Sequence, residues 1–419
     1  MGSHEPPLLR RAEHALDVLS FALADVRYGL GPYAAVYLIS AHGWHESSIA
    51  LAFAFGSVAG LVTQIPIGAM VDALRVKRAL LVWALAMIAA SCLVIVLAPG
   101  FWLVAAAGVA SALANSALGT AVAAVSLGIV GPERFARRAA RNEALFHGGG
   151  GAANLAILAF ASSVGITVVF WLLAAAAAAS AAAVLAVPAR AIDHDLARGL
   201  RRDSGARWNW TASVRMVLTS RPLLVFSGCG ALFHMANATM LGLVVQRAAR
   251  TDPAGAIPLA AASMAAAQAA MVVTASLAAA RADAWGRRPF FLVAFVALAV
   301  RGVCYALSTN PTWTVAVQVL DGIGVGVFGA LVPVVVADLT SGAGHFNAAQ
   351  GGVGTIHGIG GLIGGPLGAA CVTWAGYDTA FLTLAAVAVV GAVAFWRLMP
   401  ETRPGSLVTE RAHAAPVLP

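Results

Sequence analysis

Gly68-Ala69-Met70-Val71-Asp72-Ala73-Leu74-Arg75-Val76-Lys77-Arg78 has a counterpart in the second half of the chain, Ala279-Ala280-Arg281-Ala282-Asp283-Ala284-Trp285-Gly286-Arg287-Arg288-Pro289. Each stretch joins two long apolar segments through a short charged turn, and the two aspartates lie 211 positions apart (283 − 72), about half the chain. Other landmarks repeat at nearly the same offset. Phe21, Ala24 and Asp25 pair with Phe233, Ala236 and Asn237; Phe135 pairs with Phe346, Gly119 with Gly329 and His147 with His357. Repetition at one long period is the mark of an internal duplication.

The residues around these turns set the solvent. The 419-residue chain is 60% hydrophobic and 11% charged, with a mean hydropathy of +0.84, which excludes a soluble globular protein. The charges cluster and leave apolar stretches of about 20 residues, the length a helix needs to span a bilayer. Alternating segments of half that length, as strands would require, are absent. The net charge of +8 therefore speaks of membrane topology, and no nucleic-acid partner is expected. Cys92, Cys229, Cys304 and Cys371 all sit inside apolar stretches without CxxC spacing and read as packing residues. The first apolar segment is too long for a cleavable signal peptide.

The fold class expected is an all-α membrane protein with twelve transmembrane helices, at residues 15–41, 47–71, 79–98, 101–130, 141–163, 166–188, 222–246, 256–280, 289–307, 311–338, 347–374 and 378–398. Glycine, proline and charge clusters mark the breaks. The one long connection, 189–221, separates two groups of six. This divides the chain into a bundle at 1–188, a cytoplasmic linker at 189–221, a bundle at 222–400 and a disordered tail at 401–419. With the N-terminus in the cytoplasm, 22 of the 26 Lys and Arg residues fall on that side, in the N-terminal arm, 75–78, 134–141, 189–221, 281–288 and the C-terminal end from Arg397 onward. That asymmetry is the positive-inside signature and places both termini in the cytoplasm. Within the linker, Arg198, Arg201 and Arg202 are expected to share one face of a lipid-surface helix, with Trp208 and Trp210 at headgroup level.

Twelve spans in a 6 + 6 arrangement, a basic central loop and a charged loop repeated after spans 2 and 8 resemble the bacterial transporters of the major facilitator superfamily. The family's loop runs roughly Gly-x-x-x-Asp-Arg-x-Gly-Arg-Arg/Lys. The first copy here keeps Gly68, Asp72, Lys77 and Arg78; the second keeps Asp283, Gly286, Arg287 and Arg288, with alanine at Ala73 and Ala284 where arginine is usual. The resemblance implies two pseudo-symmetric six-helix bundles, with spans 3, 6, 9 and 12 at the periphery. It also implies a gating role for this loop at the cytoplasmic side, and the physics fits: a carboxylate at one helix end binds the N-terminus of a neighbour.

An ionisable group inside a span costs on the order of 3 kcal/mol, so those retained face a cavity or one another. Spans 1, 4, 5, 7, 8, 10 and 11 carry them. The candidates for a coupling proton are Asp25, Glu143, His147, His234, Asp321 and His357; those for solute binding are Arg27, Tyr28, Asn115, Asn154, Asn237, Gln268 and Gln318. Phe21, Asp25, Tyr28 and Pro32 share one helical stripe, while Arg27 lies about 200° around the axis from Asp25. An ion pair between neighbouring helices is the alternative for both charges. Glu143, His147 and Asn154 share a stripe that passes Gly148 to Gly151, a run without the Lys-Ser/Thr of a phosphate loop, which removes a nucleotide-binding reading. Arg301 is expected to snorkel outward from span 9, and Asp338 to cap the end of its span. The Glu143–His147 spacing suits a metal-ligand pair but has no third ligand, so neither a metal nor an enzyme is expected.

These readings make the chain a multi-pass transporter of the inner membrane. It would act as a monomer among bilayer lipids and need no cofactor beyond the proton gradient. Its cargo is expected to be a small organic solute, moved outward by proton antiport. The alternatives are proton-coupled uptake of a small organic anion and a non-transporting sensor.

Overall fold

Alanine- and leucine-rich runs favour helix, and hydrocarbon requires a backbone that satisfies its own hydrogen bonds. The computed structural model describes residues 7–28, 30–164, 168–200 and 209–403, with side chains described for all of these except residues 25, 27, 28, 30–33, 36, 46, 158–164, 168, 253, 254 and 257. Among the described residues there is no strand. The helices are α1 (Pro7–Tyr28), α2 (Leu30–His42), α3 (Glu46–Ala73), α4 (Lys77–Leu97), α5 (Phe101–Val130), α6 (Pro132–Val164), α7 (Val168–Ala186), α8 (Trp210–Thr219), α9 (Arg221–Asn237), α10 (Met240–Thr251), α11 (Pro253–Trp285), α12 (Arg288–Leu307), α13 (Pro311–Val317), α14 (Val319–Leu339) and α15 (Phe346–Leu398).

Among the described residues, each of the twelve predicted spans falls mainly on helix. Nine helical segments among the described residues are long and apolar enough to cross a membrane. Span 1 is carried by α1 and α2, span 7 by α9 and α10, and span 10 by α13 and α14. The 53-residue α15 holds two spans, because Gly376 (φ 85°, ψ 177°) breaks the helical path between them. That conformation is open to glycine and strained for any residue with a Cβ. Side-chain caps begin two helices as sequence rules anticipate: Asn310 accepts from the Thr312 and Trp313 N–H groups ahead of Pro311, and Asp252 accepts from Gly255 ahead of Pro253.

The chain folds into two compact units. Unit 1 comprises Met1–Phe135, Leu145–Met216 and Gly342–Gly352; unit 2 comprises Ala136–Ala144, Val217–Ser341 and Val353–Pro419. In unit 1, α3 and α4 both pack on α5; in unit 2, α11 and α12 both pack on α14. The duplicated sequence thus repeats its packing pairs. Small residues set these crossings. A Cβ on Gly56 would come 2.8 Å from the Gly108 carbonyl oxygen in unit 1, and one on Gly322 would come 2.5 Å from that of Ala267 in unit 2. The unit 2 core is aromatic, with Phe233 stacked on Phe328 at 3.9 Å and edge-on to Phe295 at 5.6 Å. Large apolar side chains such as Val62, Leu97, Trp102 and Trp374 are exposed, as lipid allows.

The linker differs from the expected surface helix. Residues Ala189–Ala191 and Leu196–Arg198 form single 3-10 turns, and among the described residues of the linker only α8 is a longer helix. Asp193 accepts from the Asp195 and Leu196 N–H groups, so its side chain diverts the backbone from an α-helix. Arg198 is buried against Asp195 at 2.9 Å and does not face lipid. Arg201, Arg202 and Trp208 lie outside the described residues. Trp210 is exposed at the start of α8.

Candidate functional site

Among the described residues, the densest polar constellation within the spans lies in unit 2, and Arg301 is its centre. It corrects the expectation that Arg301 snorkels outward, because the side chain is only 1% exposed. Its Nη1 donates to Asp321 Oδ1 at 2.6 Å and to Asn237 Oδ1 at 2.5 Å. The other carboxylate oxygen, Oδ2, accepts from Gln318 Nε2 at 3.0 Å. Gln318 Oε1 in turn accepts from the Tyr305 hydroxyl. α9, α12 and α14 thus contribute one charge-balanced network, closed on both sides by buried Tyr305 and Gln318. The physical reason is the cost of an unpaired charge in hydrocarbon: a lipid-facing Arg301 would leave Asp321 without a counter-ion. The guanidinium Nε is buried and without a hydrogen-bond partner.

One turn before Asn237 on α9, His234 packs at a tilt against His357 of α15, with ring centroids 4.9 Å apart. Phe226 and Phe328 pack against His357 at 6.1 Å each, and its Nε2 is buried without a partner, close against Gly230. Asn237, Asp321, Gln318, His234 and His357, five of the residues singled out in the sequence, are therefore gathered in one unit. Gln268 is half-buried on α11 of the same unit, and the Glu143 carboxylate fills the space beside Gly329 on α14.

The remaining candidates are placed elsewhere. His147 is buried in unit 1, Asn154 is exposed, and Asn115 turns back to donate to the Ser111 carbonyl at 3.1 Å. Asp25, Arg27 and Tyr28 lie on α1, with side chains outside the described residues.

The first charged loop performs the helix-end contact expected of it. Asp72 is 2% exposed. Its Oδ1 accepts from the Asn347 N–H (3.1 Å) and Nδ2 (2.8 Å), and its Oδ2 from the Ala348 N–H (2.9 Å). The two backbone N–H groups are unsatisfied donors of the first turn of α15, so Asp72 acts as an N-cap supplied by another helix. Gly68 makes room for it: a side chain there would meet the Asn347 carbonyl. Asn347 Nδ2 also donates to Ala197 O at 3.0 Å and ties in the linker. Lys77 is buried with its ammonium on Leu74 O at 2.7 Å, and Arg78 reaches Leu185 O at 2.7 Å.

The second copy is wired differently. Asp283 is half exposed and pairs across the turn at Gly286 with Arg287, the N-cap of α12, at 2.9 Å. Arg287 also contacts Asp338 at 3.2 Å, so Asp338 holds a cation and does not merely cap α14. Glu401 accepts from the Arg287 and Arg288 N–H groups at 2.8 and 3.1 Å beside Gly286, and Arg288 reaches Trp396 O. Arg301, Tyr305, Asn347 and Glu401 were not anticipated as site residues. The i, i+4 spacing of Arg301 and Tyr305 within a span was a usable signal for the first two.

The Major Facilitator Superfamily family model matches residues 16–267 and 226–419. Two uncharacterized MFS-type transporters of Mycobacterium tuberculosis, from strains CDC 1551 / Oshkosh and H37Rv, are each 43% identical over 392 residues, 94% of either chain. Among solved structures, the proton:xylose symporter XylE bound to 6-bromo-6-deoxy-D-glucose superimposes with a TM-score of 0.71 at 13% identity, covering 97% of this chain and 98% of that one. The human organic anion transporter MFSD10 (TETRAN) gives 0.64 at 16%, covering 93% and 100%. These likenesses are to transporters, and none is to an enzyme. With a duplicated six-span architecture, a loop carboxylate on a helix N-terminus and a family match running through both halves, the chain belongs to the major facilitator superfamily.

Proposed function

We propose that the protein is a proton-coupled secondary active transporter that carries a small organic solute across the inner membrane by alternating access. In this reading it works as a monomer with both termini in the cytoplasm, and the proton gradient is its only energy source. The observation that carries the reading is the Arg301–Asp321 pair, two opposite charges buried inside predicted spans and bonded to Asn237 and Gln318. A pair of this kind costs desolvation energy that well-packed apolar residues would avoid, and a carboxylate that can accept a proton there gives the expense a purpose.

A thermal-shift screen against metabolites and drugs supplies a ligand. In proteoliposomes, the stabilising compound is then expected to move under an imposed pH gradient with the unmodified chain and not with Asp321→Asn. Flux indifferent to the gradient, or unchanged by the substitution, overturns the coupling. Outward antiport and inward symport of an organic anion differ in whether proton and solute occupy the site in turn or together. That depends on what Arg301 holds when Asp321 is neutral.

A further inference from the structure

We infer that Arg301 is the anchor for the carboxylate of a small organic anion, that Asp321 is its built-in stand-in, and that proton and anion therefore bind together. The inference rests on the proton-coupled transport proposed above and assigns its substrate class. Without solute, the site holds one guanidinium and one carboxylate within hydrogen-bond distance, at no net charge. Protonating Asp321 alone would leave a buried guanidinium, 1% exposed, without a counter-ion inside a span. A carboxylate arriving with the proton restores the balance: the proton resides on Asp321, the solute carboxylate takes its place on Arg301, and the net charge is again zero. A cationic solute finds no such equilibrium, because it would have to enter beside Arg301. The unpartnered Arg301 Nε is a further unused donor of the same guanidinium, on the side away from Nη1, so the group keeps a free N–H for another oxygen acceptor of the solute.

The groups around Asp321 are few. From α12, Asp321 faces Arg301 and Tyr305; from its own end of α14 it faces Gln318; and α9 presents Asn237, with His234 one turn away. α11 packs its Ala267, Ala270 and Met271 against Gly322 and offers no charge. No second carboxylate competes within this set. Asn237 stays as a neutral hydrogen-bond partner for the guanidinium in both states. One proton is carried per monocarboxylate, and the movement is electroneutral.

The test uses the purified full-length chain with acetate, lactate and benzoate as probes and benzamide as the uncharged control, followed by thermal shift at pH 5 and pH 8. For the unmodified chain, at least one carboxylate is expected to bind about tenfold more tightly at pH 5 than at pH 8. In Asp321→Asn the guanidinium has lost its charged partner, so the same carboxylate should bind equally well at both pH values. Arg301→Gln combined with Asp321→Asn should abolish binding, and Asp321→Ser repeats the experiment if the asparagine variant does not fold. Absence of carboxylate binding in both Asp321 variants, or benzamide binding as well as benzoate, overturns the assignment. If the screened solute still needs Asp321 for gradient-driven flux while no carboxylate binds, the anion assignment falls and proton coupling stands. If flux ignores Asp321, the coupling falls as well.

Discussion

Arg301 and Asp321 illustrate how much one side chain depends on another in the absence of water. Replacing Arg301 by leucine leaves Asp321 and Asn237 facing a void of charge and is expected to destabilise the fold by about 3–5 kcal/mol. The double variant Arg301→Leu, Asp321→Leu removes both charges and should melt within a few degrees of the unmodified chain, while carrying no gradient-driven flux. A thermal melt and a flux assay on the same preparations check both halves. The sequence showed that Asp321, Gln318 and Asn237 were costly residues in spans, but it hid their common partner. Arg301 lies on a span assigned to the periphery by resemblance, and one-dimensional spacing carries no information on which side of a helix finds a counter-ion on the next span. His234 and His357 were legible as a pair through the duplication only indirectly, since the repeat matches His357 with His147 and not with His234.

The two copies of the charged loop share a sequence but do different mechanical work. Asp72 is buried and accepts three hydrogen bonds from the first turn of α15, whereas Asp283 is half exposed and bonded to Arg287 across the adjoining turn. Asp72→Ala is therefore expected to cost about 2–3 kcal/mol, with added protease sensitivity around 342–347, and Asp283→Ala less than about 0.5 kcal/mol. Equal effects in a melting series would show that exposure does not separate the two loops. The repeat itself, and the likelihood of a helix-end contact, could be read from the chain. The asymmetry could not, because it depends on Asn347 and on Glu401, which lie far from the aspartates in sequence and outside any repeated pattern.

His345, just ahead of α15 and outside the spans, accepts or donates with Ser213 at 2.9 Å. Burial first, and then the positive charge of Arg198, hold its pKa below the ordinary histidine value. A histidine with a lowered folded-state pKa takes up its proton more readily when unfolded, so its contribution is complete above about pH 6.5 and is lost as pH falls below that value. Melting temperature should decline on acidification, and His345→Gln should flatten that decline between pH 7 and pH 5. An unchanged slope would mean that other groups govern acid stability.

For the whole molecule, span count and repeat followed from hydropathy and charge, because the bilayer makes helix the one economical backbone and confines charge to the turns. The linker escaped because Asp193 and Asp195 organise it through local side-chain bonds that periodicity does not register. Orientation is testable directly. A cysteine introduced at Ala212 should react with an impermeant maleimide only in inside-out vesicles, and one at Gly43 only in right-side-out vesicles, against a background in which Cys92 and Cys229 are buried.

The break at Gly376 bears on how the protein is made. A continuous rod of 53 residues would be about 80 Å long, more than twice the hydrocarbon thickness. Without a polar loop to wait in water, the last two spans have no resting place between them, so they should leave the insertion machinery as a hairpin. Gly376→Val ought then to lower the yield of membrane-integrated chain while the preceding ten spans insert normally.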